Sequence, residues 1–179
     1  HEISDILKML AYFFQSLLER KKREDYLRKI GFTDAMTGAL NRNAFIRDTM
    51  FGNSMGLLTA GCFFIDINGL KKTNDTYGHE VGDKLILQIY GIICEVVGKY
   101  PVYRLGGDEF VVLCQNISGS DMKELKGKLK EELGGKNGCS AAVGQSFLEN
   151  PGDLSLLMED ADREMYKDKE VYYKRNSSA

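Results

Sequence analysis

The sequence predicts a domain in which helices pack on a mixed or antiparallel β-sheet, close to a β-α-β-β-α-β layout. Three observations carry this prediction. Strand-like and helix-like segments alternate along 179 residues, two short apolar segments flank a Gly-rich turn, and 43% of the residues are hydrophobic. A chain of this length can bury one core without disulfide or metal staples. We therefore expect one α/β domain, an α+β sandwich, with a short appendage.

The first predicted element is an amphipathic helix over residues 1–25. Its apolar residues recur at alternating steps of four and three, at Ile3, Leu7, Leu10, Phe14 and Leu17. This spacing is that of a coiled-coil seam, and it is equally that of a helix packed on its own domain. Both interpretations stay open from the sequence. We place a signalling helix at 1–25 and the main domain at 26–179.

The next segments predict a structured turn followed by a helix. Thr33–Arg42 contains a glycine and several capping residues, a composition typical of a turn between helices. Asn41 is the expected N-cap of a helix over Asn43–Met50. A loop over Phe51–Gly56 follows.

The middle of the chain predicts a buried strand and a long helix. Leu57–Ile67 contains an unbroken apolar stretch, which is typical of a strand buried on both faces. It ends close to a carboxylate, Asp66. Glu80–Val97 has apolar residues at helical spacing, and Gly98 lies near its end.

The remaining elements complete the layout. Val102–Leu105 and Phe110–Leu113 flank a Gly-rich tip and predict a hairpin. The segments after it predict, in order, a helix over Asp121–Leu133, a strand over Cys139–Phe147, a helix over Asp153–Lys169 and a short strand over Val171–Tyr173.

The composition excludes some classes of function. There are 24 Lys and Arg against 26 Asp and Glu, and the formal net charge is −2. Such a chain has no broad basic field for nucleic acid, so a polyanionic partner has to meet a local cluster. The longest apolar run, Met9 to Phe14, is far shorter than the roughly 20 residues that cross a bilayer. We expect neither nucleic-acid binding nor membrane contact by this chain.

The cysteines and the first residues indicate a cytoplasmic setting. Cys62, Cys94, Cys114 and Cys139 lie far apart and form no C-x-x-C pair, so we expect reduced thiols, most of them buried. The sequence starts at His1 without an initiator methionine or a signal peptide. We interpret it as the cytoplasmic part of a longer protein, which could be membrane-anchored and could hold a sensor.

Three acidic residues could converge in this fold. Asp66 closes the buried strand, and Asp108 and Glu109 occupy the tip of a hairpin that could lie beside that strand. Clustered carboxylates repel one another unless cations compensate, and oxygen ligands suit Mg²⁺ or Mn²⁺ better than zinc. A metal-assisted phosphoryl-transfer site is one interpretation. An ordinary exposed turn at the Gly-Gly-Asp-Glu tip is the other.

Three stretches of sequence resemble one known family. They are Asp34–Arg42 (DAMTGALNR), Phe64–Asp83 (FIDINGLKKTNDTYGHEVGD) and Arg104–Phe110 (RLGGDEF). In this order and spacing they resemble the GGDEF-domain diguanylate cyclases, and the similarity covers about Asp25–Tyr173. The resemblance implies a ferredoxin-like palm related to that of nucleotidyl cyclases. It also implies an activity in which two GTP molecules condense to cyclic di-GMP (c-di-GMP) and two pyrophosphates.

The resemblance further implies roles for the acidic residues. Asp66, Asp108 and Glu109 correspond to the catalytic carboxylates. Together with the carbonyl of Ile67 they correspond to the ligands of two Mg²⁺ or Mn²⁺ ions per active site.

The resemblance also assigns residues to the substrate. Asn74 and Asp83 correspond to the positions that bind guanine. The triphosphate would contact Lys71, Lys169 and the backbone amides of Gly69 and Leu70. Gly106 and Gly107 would let the nucleotide approach the backbone, and we expect them to tolerate positive φ at the turn.

The family assembly implied by the resemblance is a homodimer. Each subunit holds one GTP, so the dimer geometry controls the rate, and the helix over 1–25 would set that geometry for an upstream sensor or membrane region. Two alternatives remain. One is a weak or inactive module that binds GTP and relays a signal, and the other is a dimerising scaffold without nucleotide.

Some positions depart from the family pattern. Asn68 stands where the family commonly has Asp. Val97 and Tyr100 stand at the Arg-x-x-Asp positions of the family's product-inhibition site, so we expect no feedback inhibition there. The usual Gly-Arg-Asn would fall at Tyr172–Lys174, whereas Arg175–Asn176 comes two residues later.

Overall fold

The computed structural model describes residues 2–50, 58–135, 138–151 and 154–176. The helices are α1 (Glu2–Phe32), α2 (Arg42–Met50), α3 (Leu70–Tyr77), α4 (His79–Val97), α5 (Gly119–Glu132) and α6 (Ser155–Asn176). The strands are β1 (Leu40–Asn41), β2 (Thr59–Ile67), β3 (Val102–Arg104), β4 (Glu109–Gln115) and β5 (Ala141–Glu149).

The strands form one mixed sheet in the order β1-β3-β4-β2-β5. Only the β1–β3 pairing is parallel among the pairings described, and β3–β4, β4–β2 and β2–β5 are antiparallel. From β2 to β5 the chain follows a β-α-β-β-α-β path, with α3 and α4 in the first connection and α5 in the second. The predicted fold class is confirmed.

Helices cover both faces of the sheet. Side chains alternate between faces along a strand, so on β2 Phe63 and Ile65 pack toward α4 and α5, whereas Cys62 and Phe64 pack toward α2 and α6. Every residue of β2 after Thr59 is buried. The strand predicted to be buried on both faces is therefore at the centre of the core.

Helix α6 lies unusually close to β5. A Cβ atom added to Gly144 would lie 1.9 Å from the carbonyl oxygen of Ala161 and 2.3 Å from the amide nitrogen of Met165. Real Cβ atoms essentially never approach backbone atoms this closely. The missing side chain at Gly144 therefore permits the packing distance between α6 and the sheet.

Helix α1 behaves differently. It continues without a break from Glu2 to Phe32, and its seam residues are exposed: Ile3, Leu7, Leu10, Phe14 and Leu17. A helix packed on its own domain would bury these side chains, so that interpretation of the N-terminal pattern is wrong. No helix in the described ranges is both long and apolar enough to cross a bilayer. The division at residues 25/26 stays a prediction.

Several local predictions are corrected. The strand predicted at Val171–Tyr173 is instead part of α6, because no glycine or proline after Lys169 ends the helix before Asn176. Helix α3 was not predicted, since Leu70 is its only buried residue and the apolar pattern is weak. Strand β1 lies inside the predicted turn and has two residues.

Other local predictions hold. Asn41 caps α2, because its Oδ1 accepts a hydrogen bond of 3.1 Å from the amide of Ala44. Gly98 follows the end of α4 as its C-cap. All four cysteines are free thiols. The predicted loop Phe51–Gly56 lies outside the described residues.

Candidate active site

Two of the predicted acidic residues face each other across neighbouring strands. Asp66 on β2 is paired in register with Glu109 on β4, and residues directly opposite in an antiparallel pair project to the same face of the sheet. The amide of Ile67 donates a 3.0 Å hydrogen bond to the carbonyl of Asp108. Glu109 thus begins a strand rather than forming the hairpin tip, and the three acids lie at one end of the β2–β4 pair.

In this cluster, the ionised forms of Asp66 and Glu109 are disfavoured. Burial raises the pKa of Asp66, which is 5% exposed, although a hydrogen bond from Lys169 acts in the opposite direction. Burial and the charges of Asp108 and Asp66 together raise the pKa of Glu109. Groups with these shifts gain from a nearby cation, because a cation stabilises their ionised forms.

Lys169 provides one cation. It comes from α6, 103 residues away in sequence, and its Nζ lies 2.6 Å from Oδ1 of Asp66. Burial acts to lower the pKa of Lys169, but the hydrogen bond and charge of Asp66 outweigh that effect and raise it. The ion pair holds α6 to the end of β2.

A cleft opens beside this ion pair. It has a volume of about 490 Å³ and is lined by Ile67, Gly69, Leu70, Lys71, Lys72, Asp75, Asp108, Lys169, Tyr172 and Tyr173. Gly69 has a φ of 70°, a left-handed conformation that glycine adopts without steric cost, and it immediately precedes α3. The structure therefore brings the predicted phosphate-binding residues and Asp108 to one cleft.

The predicted guanine-binding residues lie elsewhere. Asn74 and Asp83 do not line this cleft. Asn74 packs against Gly82, where an added Cβ atom would lie 1.8 Å from the Asn74 Oδ1 atom. That oxygen is buried and has no hydrogen-bond partner among the described residues, whereas Asp83 is exposed. An orphaned acceptor of this kind favours a ligand that donates hydrogen bonds.

The turn does not use the tolerance of positive φ that is expected of Gly106 and Gly107. Neither residue is in the left-handed region. Arg104 shapes the tip instead, because its Nε donates to the carbonyl of Gly106 at 3.2 Å and its Nη2 to that of Gly107 at 2.7 Å. The tip is thus held by a side chain and does not depend on a left-handed glycine.

Arg104 also connects the tip to the end of α1. Its Nη1 lies 2.9 Å from Oδ1 of Asp34, which also accepts hydrogen bonds from the amide and hydroxyl of Thr37. The side chain of Asn41 donates to the carbonyls of Gly31 and Thr33. The turn after α1 is therefore bonded on one side to the helix and on the other to the Gly-Gly tip.

Sequence reasoning missed five residues of this region: Arg104 at the tip and, in the lining of the cleft, Lys72, Asp75, Tyr172 and Tyr173. Arg104 was inside a quoted motif, two residues before Gly106, but had no assigned role. Tyr172 and Tyr173 line the cleft and were predicted to be in a strand. A helical continuation of the Asp153–Lys169 pattern was the available signal for the tyrosines, since Tyr173 lies one helical turn beyond Lys169.

The donor set fits a hard divalent cation. Every candidate ligand at this end of the sheet is an oxygen: the carboxylates of Asp66, Asp108 and Glu109 and the carbonyl of Ile67. Within the described ranges, no three His, Cys, Asp or Glu side chains cluster tightly enough to hold a metal ion by themselves. Because Lys169 pairs with Asp66, a bound cation would share that carboxylate with the lysine or displace it.

Comparison with known proteins places the chain in a family. Residues 31–175 match the family model described as "Diguanylate cyclase, GGDEF domain". The chain is 28% identical to the diguanylate cyclase DgcN of Escherichia coli over 179 residues, which is 89% of this chain and 44% of DgcN. It is 30% identical to the cyclic di-GMP phosphodiesterase PdeR of E. coli, over 86% of this chain and 25% of PdeR. The chain thus spans less than half the length of these two relatives.

A solved structure has the same fold. It is the coiled coil and GGDEF domain of DgcB from Caulobacter crescentus in complex with c-di-GMP, with a TM-score of 0.78 and 21% identity, over 93% of this chain and 95% of that one. The family model covers most of the chain, and its range includes the acidic cluster, the Gly-Gly tip and the cleft. The chain therefore belongs to the GGDEF-domain family.

Proposed function

We propose that this chain is the catalytic domain of a diguanylate cyclase. In each half-reaction, the 3′-hydroxyl oxygen of one GTP forms a bond to the α-phosphorus of another. The bond from that phosphorus to the pyrophosphate oxygen breaks, and the hydroxyl proton is lost. Two such steps produce one c-di-GMP and two pyrophosphates. The observation that carries the proposal is the position of Asp66, Asp108 and Glu109 at one end of the β2–β4 pair, beside a cleft that contains Lys71 and Lys169.

The acidic side of the site would hold the metal ions. The family is generally dependent on divalent metals, and we propose two Mg²⁺ or Mn²⁺ ions held by Asp66, Asp108, Glu109 and the carbonyl of Ile67. When bound, these ions would neutralise triphosphate charge and polarise the α-phosphoryl group. The raised pKa values of Asp66 and Glu109 support this role, because both carboxylates gain from a cation.

The basic side would hold the triphosphate. Lys71 and Lys169 line the same cleft, and the amides of Gly69 and Leu70 lie at the start of α3. Ammonium groups and helix N-terminal amides both favour phosphate oxygens. Positioning and neutralisation of charge supply most of the rate in phosphoryl transfer. The cleft therefore offers the two contributions that the reaction needs.

Asn74 and Asp83 would recognise guanine. Guanine presents N1–H and an amino group as donors, and adenine has no donor at the corresponding N1 position. The orphaned Oδ1 of Asn74 and the carboxylate of Asp83 are acceptors. We expect Asn74→Ala to weaken GTP binding by about tenfold or more, since a buried hydrogen bond to a ligand contributes about 1–3 kcal/mol. Competition between GTP and ATP for binding measures this effect.

Catalysis would require a homodimer. One chain binds one GTP, and two chains have to face each other for each hydroxyl to reach the other's phosphorus. The exposed seam of α1 supports association through this helix. An upstream sensor or membrane region would then change the relative position of the two domains. Removal of residues 1–25 should lower both dimerisation and activity, and an unchanged rate with a monomeric parent would contradict this.

The proposal is tested by incubating the protein with GTP and Mg²⁺ and measuring pyrophosphate and c-di-GMP. Asp108→Ala and Glu109→Ala should abolish both products. Glu124→Ala is the matched control, because Glu124 is an exposed acid that pairs with Lys128 one turn away on α5. Equal activity of the parent and both site variants would overturn the proposal.

A second candidate function is a module that binds GTP without turnover. It is favoured by the path of α6, which places Tyr172 and Tyr173 in the cleft where the family resemblance would place Gly and Arg. PdeR, which is 30% identical to this chain over 86% of its length, is named a cyclic di-GMP phosphodiesterase. If the protein binds GTP and forms no c-di-GMP even when forced to dimerise, this second function replaces the first.

We also propose that the product does not inhibit through the family's usual feedback site. Val97, at the Arg position, is an apolar residue buried in the core, and Tyr100, at the Asp position, has no carboxylate, so neither residue offers the group that the site requires. Addition of micromolar c-di-GMP should leave the initial rate unchanged. Slower turnover that is relieved by a change at Tyr100 would contradict this.

A further inference from the structure

Two carboxylates of α6 reach around the free edge of the sheet. Among the described strands, β5 lies at the edge of the sheet and pairs with β2 alone. On its outer side, the amide of Val143 donates a 3.0 Å hydrogen bond to Oδ2 of Asp168, and the amide of Gln145 donates to Oε2 of Glu164. Glu164 and Asp168 are four residues apart and therefore lie on the same side of α6. They bind alternate amides of β5, which point in the same direction.

The same two carboxylates bind lysines of α5. Lys126 Nζ lies 2.6 Å from Oε1 of Glu164, and Lys130 Nζ lies 2.7 Å from Oδ1 of Asp168. Helices α5 and α6 pack on opposite faces of the sheet. The two ion pairs thus join the layers around the edge of β5, and each carboxylate uses one oxygen for the strand and the other for the lysine.

We call the group formed by Glu164, Asp168, Lys126 and Lys130 the edge clamp. It restrains α6 from sliding along its axis and from rotating about that axis. Residue Lys169 follows Asp168 directly, and its ammonium reaches Asp66 at 2.6 Å. A small rotation or shift of α6 would move Lys169 away from Asp66 and from the cleft. The bonds of the clamp therefore influence the position of Lys169 through the orientation of α6.

We propose that Glu164 and Asp168 are positioning residues that set the place of Lys169 in the phosphate-binding cleft. The inference rests on the proposed function, in which Lys169 contacts the triphosphate of GTP. Protection of the exposed edge of β5 against pairing with another chain is a purely structural role for the same residues. The two roles differ in what they predict for substrate binding.

The test measures KM and kcat for GTP in Asp168→Ala. We expect KM to rise about fivefold to tenfold, because displacement of Lys169 weakens the binding of GTP. We expect kcat to change little, because the lost contact stabilises the ground state and the transition state equally. Asp160→Ala is the matched control, since Asp160 lies on the same helix and pairs with Arg163 at the surface, with its side chain 56% exposed. Faster hydrogen exchange at the Val143 amide verifies that the clamp is broken.

Asp168→Asn separates the two halves of the clamp. Its amide oxygen can still accept from Val143, but the ion pair with Lys130 is lost. If the bond to the strand positions the helix, KM in Asp168→Asn stays within about twofold of the parent, because a surface ion pair contributes little. A KM as high as that of Asp168→Ala would assign the positioning to Lys130 instead and overturn this part of the inference.

A double variant tests whether Asp168 acts through Lys169. Lys169→Met should raise KM by itself. In that background Asp168→Ala should have no further effect on KM, since coupled residues are non-additive. Additive effects, or an unchanged KM in Asp168→Ala with parental Lys169, would overturn the inference while leaving the proposed function intact. If the parent neither binds nor converts GTP, the proposed function fails first.

Discussion

Helices α1 and α6 are the two longest helices described, and they use their apolar residues in opposite ways. Helix α6 buries Leu157, Ala161 and Met165 against the sheet. Helix α1 exposes its apolar side chains, including Leu10 at 43% and Phe14 at 61%. Burial of apolar area is the main favourable term in folding. Helix α6 therefore stabilises the single chain, whereas the apolar stripe of α1 can contribute only when another surface covers it.

Gly144→Ala is the strongest test of α6 docking. The new methyl group would lie 1.9 Å from the Ala161 carbonyl oxygen, so α6 has to move off β5. We expect a loss of about 3 kcal/mol or more of unfolding free energy, measured by urea denaturation. Gly91→Ala on α4 is the control, because an added Cβ there meets nothing within 4 Å. It should stabilise the protein by about 0.5–1 kcal/mol.

The junction between α1 and the domain tests how independent α1 is. Arg104→Met removes the ion pair with Asp34 and the hydrogen bonds to the Gly-Gly tip. We expect a loss of about 2 kcal/mol, because the Arg104 side chain is only 8% exposed and its partners lose their bonds. The same substitution should also lower product formation, because the Gly-Gly tip that Arg104 holds directly precedes Asp108. Parental stability and activity in Arg104→Met would show that the junction is not coupled to the site.

The pH dependence of stability tests the same junction through Asp34, the acidic partner of Arg104. Burial acts to raise the pKa of Asp34, but hydrogen bonds from Thr37 and the Arg104 pair together lower it below its ordinary value. A lowered pKa in the folded state adds stability above the unfolded pKa of about 4, and that stability is lost as the pH falls through the folded value. Asp34→Asn should cost about 1 kcal/mol at pH 7 and should lose this pH dependence. Parallel acid unfolding curves for the two proteins would contradict the assignment.

The smallest change in chain stability is expected in α1. Phe14→Asp should alter the unfolding free energy of the monomer by less than about 0.5 kcal/mol, because exposed positions make few contacts. Self-association should weaken by about tenfold or more, since the substitution places a charge in an apolar seam. Analytical ultracentrifugation measures the association. Leu157→Asp on α6 is the matched comparison and should prevent folding, because Leu157 is fully buried.

Much of the fold could be predicted from local patterns. The apolar stretch ending at Ile67 predicted a strand buried on both faces, and all its residues from Ala60 onward are buried. Helical spacing predicted α4 to within one residue. The failures fall where local patterns are weak. Helix α3 has one buried residue, and the end of α6 carries no glycine or proline to mark it.

The candidate site could be predicted only in part from local sequence patterns. The motifs indicated that Asp66, Asp108 and Glu109 belong together, but not that Asp66 and Glu109 are in register on paired strands. Lys169 is a lone lysine near the end of the chain, with no local pattern that marks it as part of the site. Its ion pair with Asp66 depends on the path of α6 across the sheet, which sequence spacing does not encode.

The alternation of helices and strands, the central buried strand and the acidic motifs can be read from the sequence, because they depend on periodicity and on neighbouring residues. The exposure of the α1 stripe and the hydrogen bonds from Arg104 to the Gly-Gly tip depend instead on the three-dimensional packing. The same is true of the bonds that fix α6 to the edge of β5. The chemistry of a side chain limits which kind of group it can bind, but the fold determines which residue lies within contact distance.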